Sequence, residues 1–189
     1  GASTWWASFK LRSTWRGLTT CASAAGDHAG ARTWRYRRAE SGAISGPSIA
    51  RGTSFLKDKL GQRLFPAGVE LIDDPFRPRG MGSTPFDDEG VAVEQRAIIQ
   101  DGVLTTWLLN SSSAAQLGLA STGHASRGLA GPPGVSTHNL HLASGERDLD
   151  GLMADAGAGL LITSMFGPSL NGNTGDWSAG VSGFWFENG

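Results

Sequence analysis

Cysteine is almost missing from this sequence: Cys21 stands alone among 189 residues. No disulfide framework is possible, and a reducing, cytoplasmic setting is the expectation. No apolar run approaches the roughly 20 residues that a bilayer-spanning helix needs, so no membrane partner is expected. The first residues hold no charged region followed by an apolar stretch, and secretion is not indicated. A charge excess is lacking too: 16 basic and 17 acidic residues leave a net charge of −1, without the overall basic footprint of a nucleic-acid binder. Glycine, by contrast, is abundant at 28 residues, which favours many turns and short strands. With 39% apolar and 17% charged residues the composition is that of a globular protein.

A second shortage is local. No Val, Ile or Met occurs before Ile44, and residues 1–40 hold four of the seven Trp. Seven basic against two acidic residues give this segment +5, leaving nine against fifteen, or −6, for residues 41–189. It shows no period of 2 or 3.6. One reading is a basic, aromatic arm that stacks on nucleic acid. The reading adopted is the plainer one, an atypical lead-in, disordered or non-native, ahead of a domain at 41–189.

From Ser41 the pattern sharpens. Pro47 is tolerable only in a first helical turn. Thr53–Leu60 is predicted as a short helix closed by Gly61, with Phe55, Leu56 and Leu60 on one face. Residues 69–72 read as a strand. Residues 91–100 and 103–109 read as strands joined by Asp101-Gly102, the strongest short hairpin signal because a type I′ turn needs positive φ at both positions. Ser111–Leu117 reads as a helix ended by Gly118. Residues 120–137 read as loop and Asn139–Leu142 as extended. Asp148–Ala156 has Leu149, Leu152, Met153 and Ala156 at helical spacing. Leu160–Ser164 reads as a buried strand, 171–176 as a turn and Ala179–Glu187 as a strand. Asn188-Gly189 is a hairpin dipeptide with no strand after it, so a longer biological protein is expected. The fold class that follows is α+β, mainly antiparallel sheet with a few short helices.

Chemistry-bearing motifs are scarce. There is no HExxH pair, no Cys/His cluster with zinc spacing, no Gly-x-Ser-x-Gly elbow and no phosphate loop. His138 and His141 lie three apart in extended chain and would face opposite ways. His124, in a Gly-flanked loop beside Arg127, is the most site-like histidine, although a lone histidine is usually surface or hydrogen-bonded core. The most distinctive stretch is Leu71-Ile-Asp-Asp-Pro-Phe-Arg-Pro-Arg-Gly80-Met-Gly-Ser-Thr-Pro-Phe-Asp-Asp-Glu-Gly90. Its acids could form a divalent-cation cage. Asp before Pro or Gly is also an ordinary turn former, so structural use is preferred. Asp73, Asp74, Asp87 and Asp88 are expected to be held by backbone amides and by Arg77 or Arg79.

Four blocks carry a resemblance: 43–61, 72–80, 85–90 and Asp101-Gly-Val-Leu-Thr-Thr-Trp-Leu-Leu109. Leu117-Gly-Leu-Ala-Ser-Thr-Gly-His124, Gly167-Pro-Ser-Leu-Asn-Gly-Asn-Thr-Gly-Asp176 and Gly183-Phe-Trp-Phe-Glu-Asn-Gly189 extend it. Over about residues 42–189 these blocks resemble, in order, the C-terminal half of the PmbA/TldE proteins of the TldD/PmbA family, formerly called modulators of DNA gyrase. The resemblance implies a heterodimeric metalloprotease that cleaves unfolded peptides, with zinc held by a TldD-type chain through HExxxH and a later Cys. Counting back from Arg51-Gly-Thr-Ser54, the two histidine positions fall on Arg37 and Gly42. The chain is therefore expected to be a TldE-type subunit with no catalytic residue and no metal ligand of its own. It would bind unfolded peptides and associate with a TldD-type partner or with itself. His124, Arg127, Asn171 and Asn173 are the expected substrate contacts. The alternative is a free-standing β-rich binding or scaffold module. A DNA-binding role fits poorly with −6 over residues 41–189.

Overall fold

The Asp101-Gly102 turn shows how sequence becomes structure here. Asp101 and Gly102 both take positive φ, 48° and 78°, so two short strands fold back on each other. The computed structural model describes residues 7–11, 42–145 and 148–188, and these divide into two compact units. Of the described residues, 42–143 and 172–174 belong to the larger, and 7–11, 144–145, 148–171 and 175–188 to the smaller.

The smaller unit contains β1 (Ala7–Leu11), α3 (Leu149–Ala156), β8 (Ala158–Leu170) and β9 (Trp177–Glu187). The larger contains α1 (Gly46–Ala50), β2 (Leu71–Asp73), β3 (Arg96–Gln100) and β4 (Val103–Leu104). It continues with α2 (Ser111–Leu117), β5 (Ala125–Ser126), β6 (Gly134–Val135) and β7 (Leu140–Leu142). Its main sheet runs β4-β3-β2-β7, with every pairing antiparallel, and β5 pairs with β6. The expected α+β class with mainly antiparallel strands is what the chain adopts.

Local chemistry explains the helices of the larger unit. In α1, Pro47 sits in the first turn, where its missing N–H has no helical partner to lose. For α2, Asn110 accepts from the Ser113 amide and Ser113 accepts from the Asn110 amide. That reciprocal cap satisfies two otherwise orphaned donors. Gly118 then closes the helix in the left-handed region, where a glycine avoids the Cβ clash. The apolar core of this unit joins Ile49, Ile98, Ile99, Leu104, Leu108 and Leu140, all essentially without solvent contact.

Three expectations give way. Residues 53–60 form successive turns rather than a helix. The Ser54 hydroxyl takes the Leu56 amide and the Gly172 carbonyl takes that of Phe55. The amides of Lys57 and Lys59 donate three residues back, to Ser54 and Leu56, and that of Gly61 goes to Leu104, so no i→i−4 ladder forms. Leu60 consequently ends up exposed instead of sharing a buried face with Leu56. The hairpin strands are also shorter than expected. Thr105 turns its hydroxyl onto the carbonyls of Ala97 and Ile98. The following chain leaves β3 for residues 44–46, with Leu108 N–H donating to Ile44 and Gly46 N–H to Leu108.

The third correction lies in the smaller unit. The expected buried strand at 160–164 is part of the longer β8, and its apolar residues are half-buried. Ten register pairs join β8 to β9, while the buried apolar positions, Ala179 and Val181, belong to β9. β1 pairs on the opposite side of β9. Asp148 caps α3 by accepting from Gly151 N–H. Within that helix Leu152 and Met153 are half-buried while Leu149 and Ala156 are exposed.

The hairpin turn is clamped from outside. Asp101 accepts from Gly68 N–H and pairs with Arg63, and Gly102 accepts from the amides of both Leu64 and Phe65. A Cβ at Gly102 would collide with the carbonyl oxygens of Phe65 and Pro66, whereas one at Gly118 would meet nothing. Both positions have positive φ, so each alanine substitution carries the left-handed cost of about 1–2 kcal/mol. Gly102→Ala should lose clearly more stability than Gly118→Ala in urea unfolding of the full-length protein. Equal losses would mean that the turn is not clamped.

Candidate functional site

The distinctive 71–90 stretch is tied to the larger unit at three places. At its start, β2 delivers Asp73 into the interior with no solvent exposure. In its middle, Asn139 donates to the Asp74 carbonyl and the Ser83 hydroxyl and accepts from Gly82 N–H. Gly82 passes so close that a Cβ would collide with the His138 carbonyl, a position only glycine can fill without backbone movement. At its end, Asp87 accepts from the amides of Glu89, Val91 and Ala125. Asp88 accepts from Arg127 N–H, and Glu89 accepts from Ser111 N–H at the start of α2. Both ends of the stretch therefore grip the segment that carries His124.

At Asp73 three segments converge. Its Oδ2 lies 3.0 Å from His124 Nε2 and 2.9 Å from His138 Nδ1. The His138 amide donates to both carboxylate oxygens, at 3.0 and 3.1 Å. The pairing of β2 with β7 sets this up, because Asp73 sits opposite Leu140 and His138 lies just before that strand. A carboxylate can only accept, so His124 Nε2 and His138 Nδ1 each carry a proton in this arrangement. On the far side of the His124 ring, Nδ1 lies 2.8 Å from the Thr122 hydroxyl. Burial by itself raises the pKa of the Asp73 carboxyl. The hydrogen bonds from His124, His138 and the His138 amide outweigh it and hold the group well below the usual carboxylate range.

Two chemical readings of the cluster can be weighed. The order Thr122–His124–Asp73 has the connectivity of a nucleophile, a base and an orienting acid. However, Thr122 is buried and its oxygen already accepts from Leu109 N–H at 2.7 Å, so no substrate can reach it. As metal ligands the donors are better suited. Asp73, His124 and His138 offer ligand atoms that all lie within 4.8 Å of one another, the one such group of three among the described residues.

The residues singled out by sequence are placed as follows. Asp74 accepts from Phe76 N–H in an Asx turn. Among the described residues, no ion pair joins Arg77 or Arg79 to Asp73, Asp74, Asp87 or Asp88; the donors are histidines and backbone amides. Arg79 is instead a turn residue with φ of 58°. His124 was expected to touch substrate, but at 1% exposure and with both ring nitrogens engaged it is an internal residue. Arg127 is exposed in the larger unit. Asn171 and Asn173 fall in the 171–176 turn, the first assigned to the smaller unit and the second to the larger. Sequence reasoning weighed His138 only against His141 and set it aside, and it missed Asn139; no local motif marks either residue for this site. The signal that could have raised them is polar density beside a strand, Thr137-His-Asn139 before Leu140.

Comparisons with known proteins agree with this architecture. The model of the PmbA/TldA metallopeptidase C-terminal domain matches residues 37–189. Metalloprotease PmbA of Escherichia coli O157:H7 is 43% identical over 148 residues, covering 78% of this chain and 31% of that protein. The chain spans about a third of the length of the curated relatives it matches. TldE from Thermococcus kodakarensis superposes with a TM-score of 0.69 at 27% identity, over 78% of this chain and 34% of that one. A Bacteroides thetaiotaomicron protein named for modulation of DNA gyrase gives 0.70 at 30% identity, over 83% and 33%.

The acids of the 71–90 stretch should rank by burial and by the donors they hold. Asp73→Asn and Asp87→Asn should each cost about 3 kcal/mol, the scale of lost charge-assisted bonds in the interior. Asp74→Asn should cost under about 1 kcal/mol, since its single turn bond survives in part. Urea unfolding of the full-length protein reads this order. The depressed pKa of Asp73 also gives its contribution a pH window. It is complete above the ordinary aspartate range, about pH 4, and is lost as the pH falls from there toward the folded value. The gap between wild type and Asp73→Asn should therefore narrow on acidification below about pH 4.

Proposed function

The chain belongs to the PmbA/TldD metallopeptidase family, and from that premise we propose that it acts as the TldE-type, non-catalytic subunit of a peptidase for unfolded peptides. Its partner in this reading is a TldD-type chain, which holds the catalytic zinc. The observation that carries the reading is the residue type where the HExxxH histidines would stand. Those positions are Arg37 and Gly42, a cation and a residue with no side chain. Neither supplies a neutral imidazole, so the family's catalytic metal does not fit there. Asp73, His124 and His138 are no substitute for that motif, because they come from three distant segments rather than from one helix.

In this reading the chain's task is to help enclose the cleft and hold substrate. A peptidase indifferent to side-chain identity can bind an extended peptide by adding it as a strand to a sheet edge, so that affinity comes from main-chain bonds. The terminal strands β7 and β8 of their respective sheets support that role. Arg127 and Asn173 of the larger unit, and separately Asn171 of the smaller, are the proposed side-chain contacts. The chemistry of bond cleavage belongs to the partner, whose zinc would activate a water for attack on the peptide carbonyl.

The test is reconstitution from full-length chains. Co-expression with a TldD-type partner should give a complex that cleaves an unfolded peptide, loses activity with chelator and recovers it with zinc. Each chain alone should be far less active. No association together with no chelator-sensitive cleavage would leave the free-standing binding module as the reading.

A further inference from the structure

We propose that Asp73, His124 and His138 form a binding site for one first-row divalent metal ion, with zinc the expected occupant and a structural rather than catalytic role. This site is separate from the HExxxH positions, and it does not depend on the peptidase reading.

The donor set comes first. Two imidazole nitrogens and one carboxylate oxygen suit zinc and its neighbours in the first transition row, and they leave a fourth position for water. Geometry comes next. The carboxylate oxygen lies 3.0 and 2.9 Å from the two ring nitrogens, and all three ligand atoms fall within 4.8 Å. Metal–ligand bonds of about 2.0–2.2 Å in a tetrahedral site put ligand atoms about 3.3 Å apart. An ion therefore enters when the carboxylate withdraws by a few tenths of an ångström and the two ring nitrogens, which lie within 4.8 Å of each other, close to that separation.

The surroundings supply what a metal site needs beyond its ligands. His124 must present Nε2 without its proton when it binds metal, with the proton on Nδ1. Thr122 accommodates that exchange. Its hydroxyl lies 2.8 Å from Nδ1 and within 3.3 to 3.4 Å of the carbonyls of Leu109 and Trp107. The hydroxyl can thus donate to the ring in one tautomer, or accept from it and donate to a carbonyl in the other. A ligating histidine held through its other nitrogen is the usual outer-shell arrangement of zinc sites. Asp73 is oriented independently by the His138 amide. Entry is by way of His138, whose side chain keeps 8% exposure while those of Asp73 and His124 keep 1%. The ion would join β2, the Thr122–Ala125 segment and the lead into β7, segments separated by 51 and 65 residues.

The experiment uses the full-length chain purified without any partner, so that failure here is distinguishable from failure of the peptidase reading. After chelator treatment the protein is titrated with Co²⁺, followed by visible ligand-field absorption, and then with Zn²⁺ in competition. The expected result is one Co²⁺ per chain, displaced by Zn²⁺, with a raised melting temperature. His138→Ala and His124→Asn, checked for native circular dichroism, should weaken binding by about tenfold or more. His138, at the rim, is the variant to rely on if His124→Asn fails to fold. The proposal is overturned if folded wild type takes up neither ion, or if His138→Ala binds as tightly as wild type. The three side chains would then be a hydrogen-bonded cluster alone.

Discussion

A single buried carboxylate organises the larger unit. Asp73 leaves water entirely, at a desolvation cost that only paired donors can offset. Those donors come from His124 and His138, far along the chain. The carboxylate is thus satisfied only when three segments have reached their places together. Around it the chain repeats the device in weaker form, with Asn139 gripping the middle of the 71–90 stretch and Asp87 its end. A stretch with so many prolines and glycines cannot hold itself by a helix or sheet ladder. Side chains that accept from backbone amides perform that service, and Coulombic cages with Arg77 or Arg79 do not.

The elements legible in the sequence are those whose signals act within a few residues. Asp101-Gly102 predicts its own turn because both φ values are local properties. Gly118 ends α2 and Asp148 starts α3 for equally local reasons. Residues 53–60 depart from the expected helix because the Lys57 and Lys59 amides close i→i−3 turns and the Gly61 amide is drawn to Leu104, a tertiary pull that overrides propensity. The hairpin strands were read too long because the partner of residues 105–109 is the segment at 44–46. The meeting of Asp73, His124 and His138 was illegible for the same reason. It depends on the β2–β7 pairing, and nothing in the intervening loops announces that register.

Function divides along the same line. Family membership follows from ordered blocks across the chain, and the fold agrees with solved relatives. Arg37 and Gly42 stand where the resemblance puts the two histidines of HExxxH. The one group of metal-type donors among the described residues was assembled by folding and has a different architecture.

The central claim is that the Asp73 carboxylate and the His124 ring stabilise the fold as a pair. A double-mutant cycle in the full-length protein, using Asp73→Asn, His124→Asn and the double variant in urea unfolding with chelator present, measures that pair directly. The expected coupling is about 1.5–3 kcal/mol, the range for a buried charge-assisted bond. Strictly additive losses would contradict the account and leave the two side chains as neighbours without a joint role.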